Sequence, residues 1–133
     1  MSAARYAAPD LRDFAARLLM AMELPADKAD AVAQVLVEGD LMGHNTHGLA
    51  LLASYLKELE SGAMTREGEP AVIADAPATV TWDGRRLPGP WLVLRAMALA
   101  TERAARCGTG TVVIRRSHHI ACLAAYLKRG TDQ

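Results

Sequence analysis

Apolar side chains recur along the first third of the chain at the spacing of a helix that buries one face. Leu11, Phe14, Ala15, Leu18, Leu19 and Met22 form such a stripe behind Pro9-Asp10, which predicts a helix capped by Asp10 and stopping near Leu24-Pro25. Pro25 has no backbone N–H to leave unpaired and is placed to open a second helix. That helix turns Ala29, Val32, Ala33, Leu36, Val37 and Leu41 inward and ends around Gly43. Thr46 is placed to cap a third helix, which bears Leu49, Leu52, Leu56 and Leu59 and ends at Ser61-Gly62. Residues 1–68 therefore read as a three-helix bundle segment.

The period changes after Gly68. Ala71 to Ala74 and Thr79 to Trp82 are short β-prone runs separated by a turn at Pro77 and followed by Asp83-Gly84, which predicts a hairpin. Pro88-Gly89-Pro90 then precedes a long helix through Leu92, Val93, Ala96, Met97, Ala100 and Ala104, closed by Cys107-Gly108. Thr111 to Ile114 reads as a buried strand, and Ile120, Leu123, Ala124 and Leu127 as one face of a last amphipathic helix. The fold class expected is α+β: a helical bundle, a short β-hairpin, and a strand-helix-strand-helix unit that begins an α/β domain over 69–133.

Composition narrows the function. The 133 residues suit one globular unit. Lys plus Arg is 15 and Asp plus Glu is 15, so no bulk field draws in nucleic acid or an anionic membrane, and neither is expected as a partner. Two cysteines, Cys107 and Cys122, are too few for a disulfide framework, which together with the lack of a signal-like stretch in MSAARYAAPD suggests a cytoplasmic protein.

All four histidines fall in two clusters, His44 with His47 and His118 with His119. Histidine titrates near neutrality and suits proton transfer. His47 in GHNTHG follows the expected cap Thr46, at a helix start where free N–H groups favour a carboxylate. His44 reads as a solvent-facing residue near a helix end. A metal reading is weak, because Gly43 and Asn45 break any common face and no acidic residue or cysteine completes the ligand set. The pair His118-His119 falls in a turn after a strand, where open α/β sheets place ligands. No phosphate loop or dinucleotide fingerprint is present.

Two segments carry a family resemblance. DLMGHNTHGLALLASYLKELESGAM, Asp40 to Met64, resembles the acidic residue, Gly, Ser/Thr-His-Gly and helix of the malate/L-lactate dehydrogenase-like oxidoreductases, which use a nicotinamide cofactor on a non-Rossmann fold. WDGRRLPGPWLVLRAMALATERAARCGTGTVVIRRSHHIACLAAYL, Trp82 to Leu127, resembles that family's Asp-Gly, long helix, strand and Ser-Asn-His segment. The resemblance implies His119 as the catalytic acid/base. It implies Thr46, His47, Gly48, Tyr55 and His118 on the substrate side, and NAD or NADP as cofactor. It further implies a small 2-hydroxy or 2-oxo acid substrate and a homodimer. Two positions depart from the pattern: Leu51 stands where many members have an Arg that grips the substrate carboxylate, and His118 where they have Asn. Members are longer, so the chain is expected to be a truncated, N-terminal portion, with the cofactor bound mainly by segments outside it. The expected function is hydride transfer between nicotinamide and such an acid. The alternative is a catalytically inactive remnant that only self-associates.

Overall fold

The computed structural model describes residues 4–132. The three expected helices form as α1 (Ala8–Ala21), α2 (Ala26–Leu41) and α3 (Leu52–Ser61). Pro9 lies in the first turn of α1, where its missing N–H costs nothing, and the helix starts at Ala8 with Ala7 as its N-cap. Asp10 is therefore not the cap; it sits in the first turn, where its charge still suits the helix dipole. The buried stripe of α1 is Ala15, Ala16 and Leu19, and Phe14 is left 52% exposed. Small residues on the contact line let α1 lie close against α2, and the bulkier Phe14 falls beside that line.

α2 is the central helix. Ala29, Val32, Ala33, Val35 and Leu36 have no exposed surface, because α1 packs on one side and the later helices on the other. Leu41, expected inward, lies past these partners in the last turn and is exposed. Leu19, Leu36 and Leu59 are fully buried in one cluster, each contributing about 1.5–3 kcal/mol by removal from water. Arg66 ties two helix ends together: its Nε donates to Met22 O and its NH2 to Leu59 O, both at 2.7 Å. Both carbonyls lie at helix C-terminal ends; Leu59 O also takes the Gly62 N–H at 3.3 Å, so the guanidinium adds a second donor there and bridges the ends of α1 and α3.

The second half is built on a three-stranded sheet, ordered β1 (Ala71–Asp75), β2 (Thr79–Asp83), β3 (Thr111–Arg115). β1 and β2 are the expected hairpin, antiparallel with a bulge between Val72 and Ala74, and β2 pairs with β3 in parallel. The parallel pair needs a crossover, supplied by α4 (Gly89–Cys107). α4 covers one face of the sheet, packing Ala96 and Leu99 against Val80, Trp82, Val112 and Ile114. β3 is thus not the buried strand expected: Val112 and Ile114 are half covered while Thr111, Val113 and Arg115 face outward. The strand lies at the sheet edge, and the described residues place a helix on one face only.

Trp91 near the start of α4 locks this unit to α2. Its indole N–H donates to Asp27 Oδ2 at 3.0 Å, and the Lys28 ammonium at 4.2 Å and the Arg95 guanidinium at 4.5 Å both lie over its ring.

The last helix, α5, spans Ala124–Thr131. Its face is not the one expected. Ala121, Cys122, Ala125 and Tyr126 enter the main core, and Leu123 and Leu127 point outward. Ala121 has a positive φ of 56°, which breaks the helical continuity from Ile120 and resets the rotation. The main core therefore runs from α1 through α3 into Ala121–Tyr126. Among the described residues, no helix is long and apolar enough to cross a membrane.

Candidate active site

The histidines converge from two segments that are about seventy residues apart in sequence. The first leaves α2 at Gly43, which has a φ of 80°, and descends through two short 3-10 turns, Asn45–His47 and Leu49–Leu51, into α3. Thr46 does not cap α3, since it lies five positions before that helix's N-cap residue, Leu51. Its hydroxyl instead meets His47 Nδ1 at 3.0 Å. The acceptor that holds this segment is Asp40, whose Oδ2 takes the Leu49 N–H at 2.9 Å. The anion at this helix approach is thus the protein's own carboxylate, and the expectation that free N–H groups beside His47 await a substrate is corrected to that extent.

Two glycines make this geometry possible. A Cβ on Gly48 would lie 2.2 Å from Asp40 Oδ1, so only glycine lets the carboxylate reach past it to Leu49. A Cβ on Gly39 would lie 2.9 Å from His47 O and 3.2 Å from Cys122 Cβ, so the bare backbone of α2 is where the two histidine segments meet.

The second segment follows β3. Arg116 has a φ of 51°, His118 N–H donates to Leu87 O at 3.3 Å, and Ser117 Oγ donates to His118 O at 2.8 Å. The loop lies directly on the start of α4, where a Cβ on Gly89 would be 2.2 Å from His119 O.

Tyr55 of α3 joins the segments. It is buried, and its hydroxyl lies 2.9 Å from His119 Nδ1 and 3.1 Å from His119 O. Ala121 N–H donates to the same Nδ1 at 3.2 Å. A nitrogen that accepts from a backbone N–H carries no proton, so the neutral ring holds its proton on Nε2. Nε2 makes no hydrogen bond among the described residues, and the side chain sits at the surface. Burial first, then the charges of His47 and His118, press the His119 pKa below the ordinary histidine value. The His47 and His119 rings stack with centroids 6.1 Å apart.

His118 turns the other way. Its ring meets Tyr55 edge-on at 5.8 Å, its Nε2 lies 3.6 Å from Glu58 Oε2, and its buried Nδ1 has no hydrogen-bond partner among the described residues. The arrangement brings His47, Tyr55, His118 and His119 into one cluster with Thr46 and Gly48 beside it. Leu51 is packed against the main core, and His44 is exposed at the rim of a recess of about 320 Å³ that His47, Ala121 and Cys122 also line. A larger recess, about 540 Å³, lies between the ends of α2 and α5 and contains none of these histidines. Among the described residues, no group of three His, Cys, Asp or Glu side chains converges as a metal shell.

Asp40, Gly39 and Gly89 are positioning residues that local pattern does not reveal. Asp40 stands three residues before GHNTHG, but its partner Leu49 is nine residues away, outside the reach of a capping signature.

A family model described as malate/L-lactate dehydrogenase matches residues 6–133. The L-lactate dehydrogenase of Cupriavidus necator is 34% identical over 115 residues, covering 86% of this chain and 33% of that protein. The hydroxycarboxylate dehydrogenase B of Escherichia coli is 32% identical over 116 residues, covering 87% of this chain and 32% of that protein. Among solved structures, the malate dehydrogenase of Pyrococcus horikoshii superposes with a TM-score of 0.90 at 31% identity over 92% of this chain and 35% of its own. The sulfolactate dehydrogenase of Methanocaldococcus jannaschii superposes with a TM-score of 0.86 at 26% identity, covering 90% of this chain and 35% of its own. The chain spans about a third of the length of these relatives.

Proposed function

The chain belongs to the malate/L-lactate dehydrogenase family, and from that membership we propose that it supplies the acid/base and substrate-facing side of an oxidoreductase acting on a small 2-hydroxy or 2-oxo acid. The observation that carries this reading is the contact of His119 with Tyr55, next to His47. Nicotinamide, as NAD or NADP, supplies or takes up the hydride when bound. The described residues offer no glycine-rich turn opening a helix for its pyrophosphate, so none is assigned to the cofactor.

His119 Nε2 is the atom that exchanges a proton with the substrate oxygen. In the acid direction the ring carries protons on both nitrogens and gives up the one on Nε2. This leaves the neutral ring protonated on Nδ1, the tautomer opposite to the resting one, so Ala121 N–H has to release Nδ1 in this step, and Tyr55 Oη accepts the Nδ1 proton when its own hydrogen turns to His119 O, 3.1 Å away. In the resting neutral ring Nδ1 is bare, and Tyr55 donates to it instead. Tyr55 thereby follows the charge of His119 without being ionised itself, since burial raises its own pKa well above the ordinary range. Thr46 engages His47 Nδ1 and leaves Nε2 as the His47 atom available to a substrate carboxylate. Gly48 keeps that segment on Asp40, and His118 flanks the site. A cytoplasmic homodimer is the proposed working state, in which the exposed apolar side chains Val113, Leu123 and Leu127 gain cover.

The test joins this chain to the remaining two thirds of a relative and follows nicotinamide absorbance with a panel of 2-oxo acids. His119→Ala should lower kcat by about 10²–10⁴-fold, the usual worth of general acid/base catalysis, and His118→Asn should be tolerated. A mild His119→Ala effect with loss of turnover in His118→Asn reverses the assignment.

A further inference from the structure

Two arginine side chains clasp one buried carboxylate at the end of the sheet, and two more arginines occupy the adjoining turn. Asp83, the last residue of β2, is 3% exposed and accepts from Arg115 Nε at 3.1 Å and Arg116 Nε at 3.0 Å. The register that pairs Asp83 with Arg115 brings these two guanidiniums to the same oxygens. Arg85 and Arg86 occupy the turn that follows, and its backbone is bonded to the same strand end. Gly84 N–H donates to Arg115 O at 2.8 Å and Arg86 N–H to Arg116 O at 2.7 Å. Asp83 also takes the Arg85 N–H at 2.9 Å. Among the described residues, Arg115 and Arg116 form ion pairs with Asp83 alone, and Arg85 and Arg86 form none. These two adjoining segments hold four arginines and one ion-paired carboxylate, an excess of three positive charges in a chain whose net charge is zero.

The backbone under these arginines is strained. Arg85, Arg86 and Arg116 have φ of 50°, 57° and 51°, a region where a Cβ is unfavourable and where glycine or asparagine is the inexpensive choice. A tight turn selected for stability alone carries Asn-Gly at such a pair of positions. Strain of this kind persists where a site needs particular side chains in a fixed place. Asp83 supplies the fixing: it clasps two of the guanidiniums against each other and keeps their remaining N–H groups in place.

We propose that Arg85, Arg86, Arg115 and Arg116 form a binding site for a phosphorylated small molecule. An excess of three charges exceeds what a single carboxylate would neutralise and matches a diphosphate, whose oxygens suit the planar fork of guanidinium. The loop joining this site to the histidines is short, since Leu87 O holds the His118 N–H. The proposal stands independently of the dehydrogenase reading.

Titration calorimetry with sodium pyrophosphate at low salt tests it, using the protein and the double variant Arg85→Gly with Arg86→Gly. Glycine fits the left-handed turn, so the variant should melt at a higher temperature while binding pyrophosphate at least tenfold more weakly. Competition separates the sources of the phosphate: displacement by both ADP and NADP indicates a general diphosphate site, and displacement by NADP alone a dinucleotide. No saturable binding to the parent protein, equal binding by the two proteins, or a lower melting temperature in the variant each overturns the proposal.

Discussion

Tyr55 and His119 are held together at two points, ring nitrogen and backbone oxygen, by a single hydroxyl 2.9 Å and 3.1 Å away. The tyrosine lies on α3 and the histidine on the loop after β3, so one oxygen joins the helical half of the molecule to the sheet half. Its hydrogen has two acceptors, and which it chooses depends on where His119 keeps its protons.

The first consequence is a titration. In the folded protein His119 should titrate below 6.5, through burial first and then the charges of His47 and His118. Its contribution to stability is complete above the unfolded value of about 6.5 and declines as pH falls below that, because the unfolded chain takes up the proton more readily. Proton NMR should show the midpoint rising in His47→Ala and in His118→Asn, each of which removes a neighbouring positive charge. An unchanged midpoint in both would mean that those charges do not act on His119.

Removing the hydroxyl tests the two-acceptor arrangement. Tyr55→Phe keeps the buried ring and should cost about 1 kcal/mol in chemical denaturation, the usual worth of one hydrogen bond. Ala121 N–H remains on Nδ1, so the ring nitrogen is not left bare. Nitrogen NMR should show the neutral form fixed still more firmly with its proton on Nε2. A shift of the proton to Nδ1 would show that Tyr55, and not Ala121, sets the tautomer.

Gly48 and Asp40 should behave as one unit. Gly48→Ala brings a methyl group against the carboxylate, and Asp40→Ala removes the acceptor of the Leu49 N–H. Each should destabilise by about 1–2 kcal/mol through overpacking or loss of a cap. The double variant should cost clearly less than the two combined, because the clash needs the carboxylate that is gone. Simple additivity would show that the two residues do not share a contact.

Acid should act through Asp83. The Arg116 guanidinium, then the Arg85 N–H, hold its carboxyl at about 2. A lowered carboxylate supports the fold fully above its unfolded value of about 4 and loses that support as pH falls through its folded value. Melting temperatures measured from pH 5 down to pH 2 should fall more steeply in the parent than in Asp83→Asn. Parallel curves would remove Asp83 as a source of acid sensitivity.

Much of this fold can be read from local pattern. The 3.6-residue rhythm of α1, α2 and α4 and the turn at Pro77 describe interactions within a dozen residues. What local pattern misses is rotation and partnership. Leu123 and Leu127 have the spacing of an inward face, yet the left-handed residue Ala121 turns the helix so that Ala125 and Tyr126 enter the core instead. Thr46 has the chemistry of a cap, yet a carboxylate from the preceding helix takes that task because Gly48 leaves it room. The histidine cluster became legible only through the family resemblance, since Tyr55 and His119 lie 64 residues apart and no periodicity connects them.

The contact at Gly39 also sets a clock. Cys122 is buried against the bare backbone of α2, whereas Cys107 at the end of α4 is exposed, and both thiols are free. A thiol reagent should therefore modify exposed Cys107 first and wait for Cys122 until its segment lifts away from α2. Because the same glycine also supports the His47 carbonyl, the slower reaction times the parting of the two histidine segments, and the faster one supplies its internal zero.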